Sequence, residues 1–346
     1  MPAPETGAHP EQGHQLSIPK IPSQRRRRAV VAAVAASAVA MAAAGSALAS
    51  GGRLNLVAYS TPQSAYSALI PLWLKTPAGK GWSFAQSYGP SGDQSRKVVA
   101  GLPADVVNFA TEPDVTRLVK AGLVSSAWNH NAHGGFVNDS VVVFIVRKGN
   151  PKHVHTWSDL LKKGVSVVTP NPISSGGARW NILAAYGAQL VQHKSEGQAN
   201  AYLKSLFKHV PVQPASAREA LTAFQNGEGD VLLDYESEAF FAKTHGVSLS
   251  YVIPPQTILI QTPIAVLKGS AHLATAQNFV NFLWSTKAQR VFAQHGFRPV
   301  VASVLKAYTK QFPHPAHQFT INLFGGWSSA NNAFFSPNGI VAQAEK

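Results

Sequence analysis

The stretch VVVFIVRKGNPKHVHTWSDLLKKGVSVVTPNPISSGGARWNILAAYG, residues 141–187, contains the features that decide the predicted fold. It begins with six consecutive apolar and mostly β-branched residues, 141–146, and a second apolar run follows at 165–168. Runs of this length and composition are typical of buried β-strands. A helical spacing of apolar residues then covers 179–190, directly after the small residues 174–178. Strand, turn and helix in this order predict an α/β unit.

The same alternation of elements extends to both sides of this stretch. Apolar runs at 54–59, 104–109, 231–235 and 264–266 predict further strands, and helical patterns follow up to about residue 74 and at 115–121. We therefore expect an α/β fold with mainly parallel strands. Turn residues at 138–139 and 262–263 precede two of the strands, and a chain that crosses between two lobes would do so there. This predicts a discontinuous lobe I, 50–138 and 262–346, and a lobe II, 139–261.

The N-terminal 49 residues have the three parts of an export signal. Four arginines at 25–28 precede a run of small and apolar residues, 29–49, which ends in Ala47-Leu48-Ala49. This order predicts cleavage after Ala49 and a periplasmic mature protein. A retained membrane anchor is the alternative, and the alanine-rich composition favours cleavage over it. The sequence leaves Sec and twin-arginine export both open.

Composition excludes several classes of site. The chain has no cysteine, so it has no disulfide, thiolate metal site or cysteine nucleophile. Its net charge is +14, and removal of 1–49 leaves about +11. The lysines and arginines are scattered singly instead of forming one patch, which disfavours nucleic-acid binding and suits attraction of a small anion.

Four turns of small residues precede predicted helices, at 60–62, 91–94, 174–178 and 215–218. Serine at such a position is ordinarily explained as a helix N-cap. The alternative is that the free N–H groups of the first helical turn bind an anion, with glycines allowing its close approach. Gly176 and Gly177, after two serines, fit the second explanation better. No phosphate-loop or dinucleotide-binding glycine pattern occurs, so we expect no nucleotide cofactor.

At these residues the chain resembles the periplasmic sulfate-binding proteins of the sulfate/thiosulfate ABC importers. The resemblance covers about residues 54–334, and its most specific block is 141–187. Further blocks are SYGPSGDQ at 87–94, ADVVNFA at 104–110, GDVLLDYESEA at 229–239, GFRP at 296–299 and FGGW at 324–327.

The resemblance implies a two-lobed type II periplasmic binding protein fold, with mixed sheets flanked by helices and a ligand cleft between lobes joined by two crossover hinge segments. By position, it implies that neutral donors hold sulfate: the backbone of Ser60, the Ser91 hydroxyl, Ser175, the N–H groups of Gly176, Gly177 and Ala217, and Tyr235, where the family has an indole. Arg179 and Arg218 are expected behind these residues, orienting loops without touching the ligand. Asp93, where the family often has a basic residue, is expected in this outer group with its carboxylate in solvent at the helix start; the alternative is that it accepts a hydrogen bond and so admits phosphate.

The expected function is capture of sulfate, or thiosulfate, for an ABC permease with a cytoplasmic ATPase, by a monomer that is not an enzyme and needs no cofactor or metal. Other tetrahedral oxyanions, phosphate and molybdate, are the nearest alternative ligands. A serine hydrolase is disfavoured because the Gly-x-Ser-x-Gly elbow is absent, and 89–92 only approaches it. A metal site at His153 and His155, or at His314 and His317, is disfavoured because no His-Glu-x-x-His pattern occurs.

Overall fold

The computed structural model describes residues 51–346, and the predicted export signal, 1–49, lies outside the described residues. The strands are β1 (Arg53–Tyr59), β2 (Ser83–Gly89), β3 (Val106–Asn108), β4 (Phe136–Arg147), β5 (Val167–Val168), β6 (Val231–Tyr235), β7 (Leu249–Val252), β8 (Gln256–Val266) and β9 (His317–Phe319). The α-helices are α1 (Gln63–Leu74), α2 (Ser91–Val99), α3 (Glu112–Lys120), α4 (Gly176–Val191), α5 (Glu196–Phe207), α6 (Ala217–Gln225), α7 (Glu236–Thr244), α8 (Leu273–Leu283), α9 (Thr286–Gln294), α10 (Ala302–Ala307), α11 (Gly326–Phe334) and α12 (Ile340–Ala344). Two 3₁₀ helices span Trp157–Leu161 and Ile321–Phe324.

The two longest strands, β4 and β8, join the halves of the sheet, whose order is β2-β1-β3-β8-β4-β6-β5. β8 pairs with β3 near its carboxyl end and with β4 before it, while β4 continues onward to pair with β6 and β7. The residues predicted as turns at the crossing points, 138–139 and 262–263, lie inside β4 and β8, and they meet in this register, with Asn138 opposite Thr262. The Thr262 hydroxyl donates to Asn138 Oδ1 at 2.9 Å. The predicted crossing points between the lobes therefore lie side by side on these two strands.

Each lobe has its own apolar core. In lobe I, Leu54 and Leu56 of β1 pack with aromatic side chains of α1 and α8, including Trp73 and Phe279. In lobe II, β4 and β6 pack against α4 and the Trp157 segment. The C-terminal helices α11 and α12 contribute side chains to this second cluster. The predicted lobe boundaries at 138–139 and 261–262 stay a prediction.

Helix α4 lies inside lobe II, and 13 of its 16 residues are buried. A helix that is apolar on all sides is stable only when other elements surround it, and here β8, α5 and the C-terminal helices do so. Its beginning is set by Ser175, whose Oγ accepts the N–H of Ala178 at 3.4 Å. The first turn of α4 is therefore held rigidly at the cleft.

The predicted mixed α/β fold is confirmed, but the expectation of mainly parallel strands is wrong. Among the described strand pairs four are parallel and four are antiparallel. The reason is that β4 and β8 run antiparallel to each other, while β8 also runs antiparallel to β3 and β4 runs antiparallel to β6 and β7. Within residues 51–346, no helix combines the length and the apolar character needed to cross a membrane.

Candidate functional site

The four predicted turns meet at one small cavity, with about 170 Å³ of empty space that is partly open to solvent. All seven residues predicted to contact the ligand line it. The full lining is Tyr59, Ser60, Pro90, Ser91, Ala110, Ser175, Gly176, Gly177, Ser216, Ala217 and Tyr235. None of these side chains carries a charge. Among the described residues, the lining therefore offers neutral hydrogen-bonding groups only.

The first turn of α4 supplies backbone donors. The N–H groups of Gly176 and Gly177 have no acceptor within their helix, and no backbone hydrogen bond of the described chain uses them. Both positions require glycine. A Cβ on Gly176 would lie 2.6 Å from the Ala110 Cβ of lobe I, and one on Gly177 would lie 2.8 Å from the Tyr235 ring. Close packing thus holds these N–H groups at the cavity wall.

Helix α6 supplies another backbone donor in the same way. Its N-cap residue Ser216 accepts the N–H of Glu219 at 3.2 Å. The cap leaves the N–H of Ala217, the first residue of α6, without a protein acceptor. The serines that precede α4 and α6 therefore act as caps and also line the cavity. Helix capping and anion binding, the two explanations considered for these turns, are thus compatible.

Tyr235 ends β6 at the cavity, is 1 % exposed, and its hydroxyl has no hydrogen-bond partner among the described residues. Burial raises the pKa of this phenol well above its ordinary value, so it stays a neutral donor. The preceding residue, Asp234, accepts the Tyr235 N–H at 2.8 Å. Burial and then the nearby Glu238 raise the pKa of Asp234, which favours its uncharged form beside an anion.

Ser91 is placed at the cavity, but its hydroxyl hydrogen is engaged. Its Oγ donates to Asp114 Oδ2 at 2.7 Å and accepts the N–H of Ala110 at 2.9 Å. A carboxylate acceptor makes this a strong hydrogen bond. In this arrangement the group that Ser91 offers to a ligand is its backbone N–H at the start of α2. Ser60, directly after β1, offers its backbone in the same manner.

Three predicted supporting residues lie outside the lining. Arg179 donates to the Pro172 carbonyl at 3.0 Å and to Asn331 at 3.0 Å, which fixes the loop before α4. Arg218 makes a two-point ion pair with the fully buried Glu238, at 2.7 and 2.9 Å. Asp93 pairs with Arg96 on the half-exposed face of α2.

Several hydrogen bonds cross the cleft around the cavity. The Gly92 N–H donates to the Ser174 carbonyl at 2.9 Å, and the Trp180 indole donates to the Ala110 carbonyl at 2.8 Å. Arg218 also reaches the Thr61 carbonyl at 3.3 Å. The lobes are therefore in direct contact, and the structure represents a closed arrangement.

The sequence did not point to Tyr59, Pro90 or Ala110 as lining residues, and it indicated Ser216 only as part of the turn at 215–218. Tyr59 had one available signal, because it is the last residue of a predicted strand and ligands of α/β proteins bind beyond the carboxyl ends of strands. Among the described residues, no group of three or more histidine, aspartate or glutamate side chains could hold a metal ion.

Comparisons with known proteins agree with this geometry. The family of bacterial extracellular solute-binding proteins matches residues 54–298. A sulfate-binding protein of Synechococcus elongatus is 39% identical over 297 residues, covering 83% of this chain and 84% of the relative. A thiosulfate-binding protein of Pseudomonas aeruginosa is 35% identical and covers 86% and 93%. The solved sulfate-binding protein SubI of Mycobacterium tuberculosis H37Rv is 44% identical, with a TM-score of 0.81, over 82% of this chain and all of that one.

Proposed function

The chain belongs to the bacterial extracellular solute-binding proteins, and on that premise we propose that it captures sulfate, or thiosulfate, for an ABC-type importer. It is a binding protein and not an enzyme. Sulfate- and thiosulfate-binding relatives that align with most of the chain support this ligand class.

The observation that carries the proposal is the uncharged lining of the closed cavity, to which the first residues of three helices, α2, α4 and α6, contribute. Sulfate has no proton near neutral pH, so a site that selects it needs donors. A buried dianion loses much of its hydration, and several hydrogen bonds together with helix dipoles can offset that loss without a fixed counter-ion. The small size of the cavity favours a small anion over a larger solute.

We assign ligand contacts to Ser175, Gly176, Gly177, Ala217 and Tyr235 on lobe II. On lobe I, we assign them to the backbones of Ser60 and Ser91. Tyr235 and the hydroxyl of Ser175 can each donate to an anion oxygen. Because a phenol also accepts a hydrogen bond, Tyr235 is the position at which a protonated oxyanion such as hydrogen phosphate would be tolerated.

Isothermal titration with sulfate, thiosulfate, molybdate and phosphate, in chloride buffer, tests the ligand assignment. We expect sulfate or thiosulfate to bind with a dissociation constant in the micromolar range or below. Each bound ligand should also raise the unfolding temperature, because it binds only the native state. Tighter binding of phosphate or molybdate than of both sulfur oxyanions would refute the assignment.

The remaining features of the proposal concern location and partners. We infer export across the inner membrane with cleavage after Ala49, action as a monomer, and delivery of the ligand to a permease driven by a cytoplasmic ATPase. The charge and apolar pattern of 25–49 supports export. The mass of the mature protein, isolated from the cell envelope, tests cleavage, and a first residue other than Ser50 would refute that site.

A further inference from the structure

Two phenol hydroxyl groups at the cavity are left without partners. Tyr59 and Tyr235 both line it, are 2 % and 1 % exposed, and have no hydrogen-bond partner for their hydroxyl oxygens among the described residues. The Thr262 side chain lies near the Tyr59 hydroxyl, but its own hydroxyl hydrogen is donated to Asn138, and it makes no hydrogen bond to Tyr59. Buried hydroxyl groups nearly always have a hydrogen-bond partner in native proteins, so two hydroxyl groups without one at the same cavity require an explanation.

The two tyrosines approach the cavity from opposite lobes. Tyr59 is the last residue of β1 in lobe I, and Tyr235 is the last residue of β6 in lobe II. Their ring centroids are 5.9 Å apart, with the planes inclined by 43°. An anion that lies between the two rings would therefore contact both. Burial raises the pKa of both phenols, so neither becomes an anion that would repel the ligand.

Tyr59 also stands next to a residue already assigned to the ligand. Ser60 follows it directly, and its backbone lines the same cavity. Apart from Tyr59, lobe I offers the ligand the Ser60 hydroxyl and backbone groups, because the Ser91 hydroxyl is held by Asp114. With the Tyr59 hydroxyl as a donor, each lobe would supply one phenol hydroxyl to the ligand, Tyr59 from lobe I and Tyr235 from lobe II.

We propose that the Tyr59 hydroxyl is a further ligand donor, and that Tyr59 and Tyr235 hold the bound oxyanion from the two lobes. This inference rests on the proposed function. It assigns the two unpaired hydroxyl groups to the ligand and makes binding depend on closure, since opening the cleft separates the two phenols.

The test measures sulfate affinity and the stability of the ligand-free protein in Tyr59→Phe, Tyr235→Phe and the double variant. Phenylalanine keeps the ring packing and removes only the hydroxyl. Loss of one buried donor should weaken sulfate binding by about 5- to 150-fold in each single variant. The ligand-free protein should unfold at the same temperature as the unmodified chain or a higher one, because the hydroxyl that was removed had no partner.

Tyr202→Phe is the matched control. The Tyr202 hydroxyl is buried in lobe II and donates to the Trp157 carbonyl at 2.6 Å, away from the cavity lining. This variant should lose stability and keep its sulfate affinity, the reverse of the expected result for Tyr59→Phe. The opposite directions separate a ligand contact from a merely structural hydroxyl.

Unchanged sulfate binding by Tyr59→Phe would overturn the inference, because the hydroxyl would then contribute nothing to binding. Tighter binding would overturn it as well, because the hydroxyl would then oppose closure of the lobes. That result would leave the proposed function intact as long as the unmodified chain binds sulfate. An unmodified chain that binds neither sulfate nor thiosulfate would instead refute the proposed function itself. The two failures are therefore distinguishable in one set of titrations.

Discussion

Replacement of Gly177 by alanine tests the packing of the site most directly. Gly177 is the second residue of α4, and a Cβ there would lie 2.8 Å from Cε2 of Tyr235 and 3.4 Å from the Ala217 Cβ. Nonbonded carbon atoms pack at about 3.5–4.0 Å. The Tyr235 ring must therefore move by roughly 0.7 Å or more. Both neighbours are buried, so the ring has little space into which to move.

Two separate effects follow from this displacement. Adding a methyl group to a packed site typically lowers the free energy of unfolding by about 1–3 kcal/mol. Moving the ring also moves the Tyr235 hydroxyl away from the ligand, and loss of one buried hydrogen bond weakens binding by about 1–3 kcal/mol. The second effect corresponds to roughly 5- to 150-fold in the dissociation constant for sulfate. Gly177→Asp adds a negative charge at the same point and should abolish binding.

Gly197→Ala is the control, because Gly197 is the second residue of α5 and so has the same helical position. A Cβ there would meet only the Ser195 Oγ, at 3.9 Å. We expect unchanged sulfate affinity and slightly higher stability in the control. Affinity is measured by isothermal titration and stability by urea unfolding. A Gly177→Ala variant with the affinity of the unmodified chain would refute the packing argument.

Three further predictions concern closure, the buried ion pair and pH. Gly176→Ala should hold the lobes apart, because the added methyl carbon would lie 2.6 Å from the Ala110 Cβ. Small-angle scattering in saturating sulfate should then show a larger radius of gyration than for the unmodified chain. An unchanged radius of gyration would contradict this prediction. Arg218→Gln leaves the buried Glu238 unpaired and should lower the free energy of urea unfolding by about 3–5 kcal/mol. A loss below about 1 kcal/mol would contradict the stabilising role of this ion pair. Burial raises the pKa of Asp139 from 3.8 to about 7, so the folded chain keeps a proton that the unfolded chain releases. Between pH 3.8 and about 7 the free energy of unfolding should therefore fall as the pH rises, by up to about 1.4 kcal/mol per pH unit from this group. In Asp139→Asn, the free energy of urea unfolding should depend less on pH over this range.

Much of the fold could be predicted because its buried strands have distinctive sequences. The run at 231–235 is β6, and the run at 54–59 is β1 without its first residue. Strand β2, SFAQSYG, was missed because it forms one end of the sheet and has only partly buried or exposed side chains. Strand direction was predicted incorrectly because apolar runs do not show which neighbour a long strand pairs with. β4 and β8 change neighbours along their length, and only the assembled sheet shows this.

The site residues could be predicted from the small-residue turns, since free N–H groups at a helix start depend on local sequence. The hydrogen-bonding state of the side chains could not. Ser91 is held by a carboxylate 23 residues away, and Asp114 has no local pattern that indicates this contact. Similarly, Tyr59 appears in the sequence as one more residue of an apolar strand. Its unpaired hydroxyl is a consequence of how the two lobes meet.

The division of donors between the lobes explains how a site without charged side chains could release its ligand. Ser60, Ser91 and Tyr59 belong to lobe I, whereas the N–H groups of α4 and α6 belong to lobe II. A guanidinium group in the lining would attract a dianion in the open and closed forms alike, but the charge of Arg218 is already paired with Glu238. Under the proposed division into lobes, rotation about β4 and β8 would remove one whole group of donors at once and let water replace them. Affinity then depends on closure, which is the property that a permease can use to discharge the ligand.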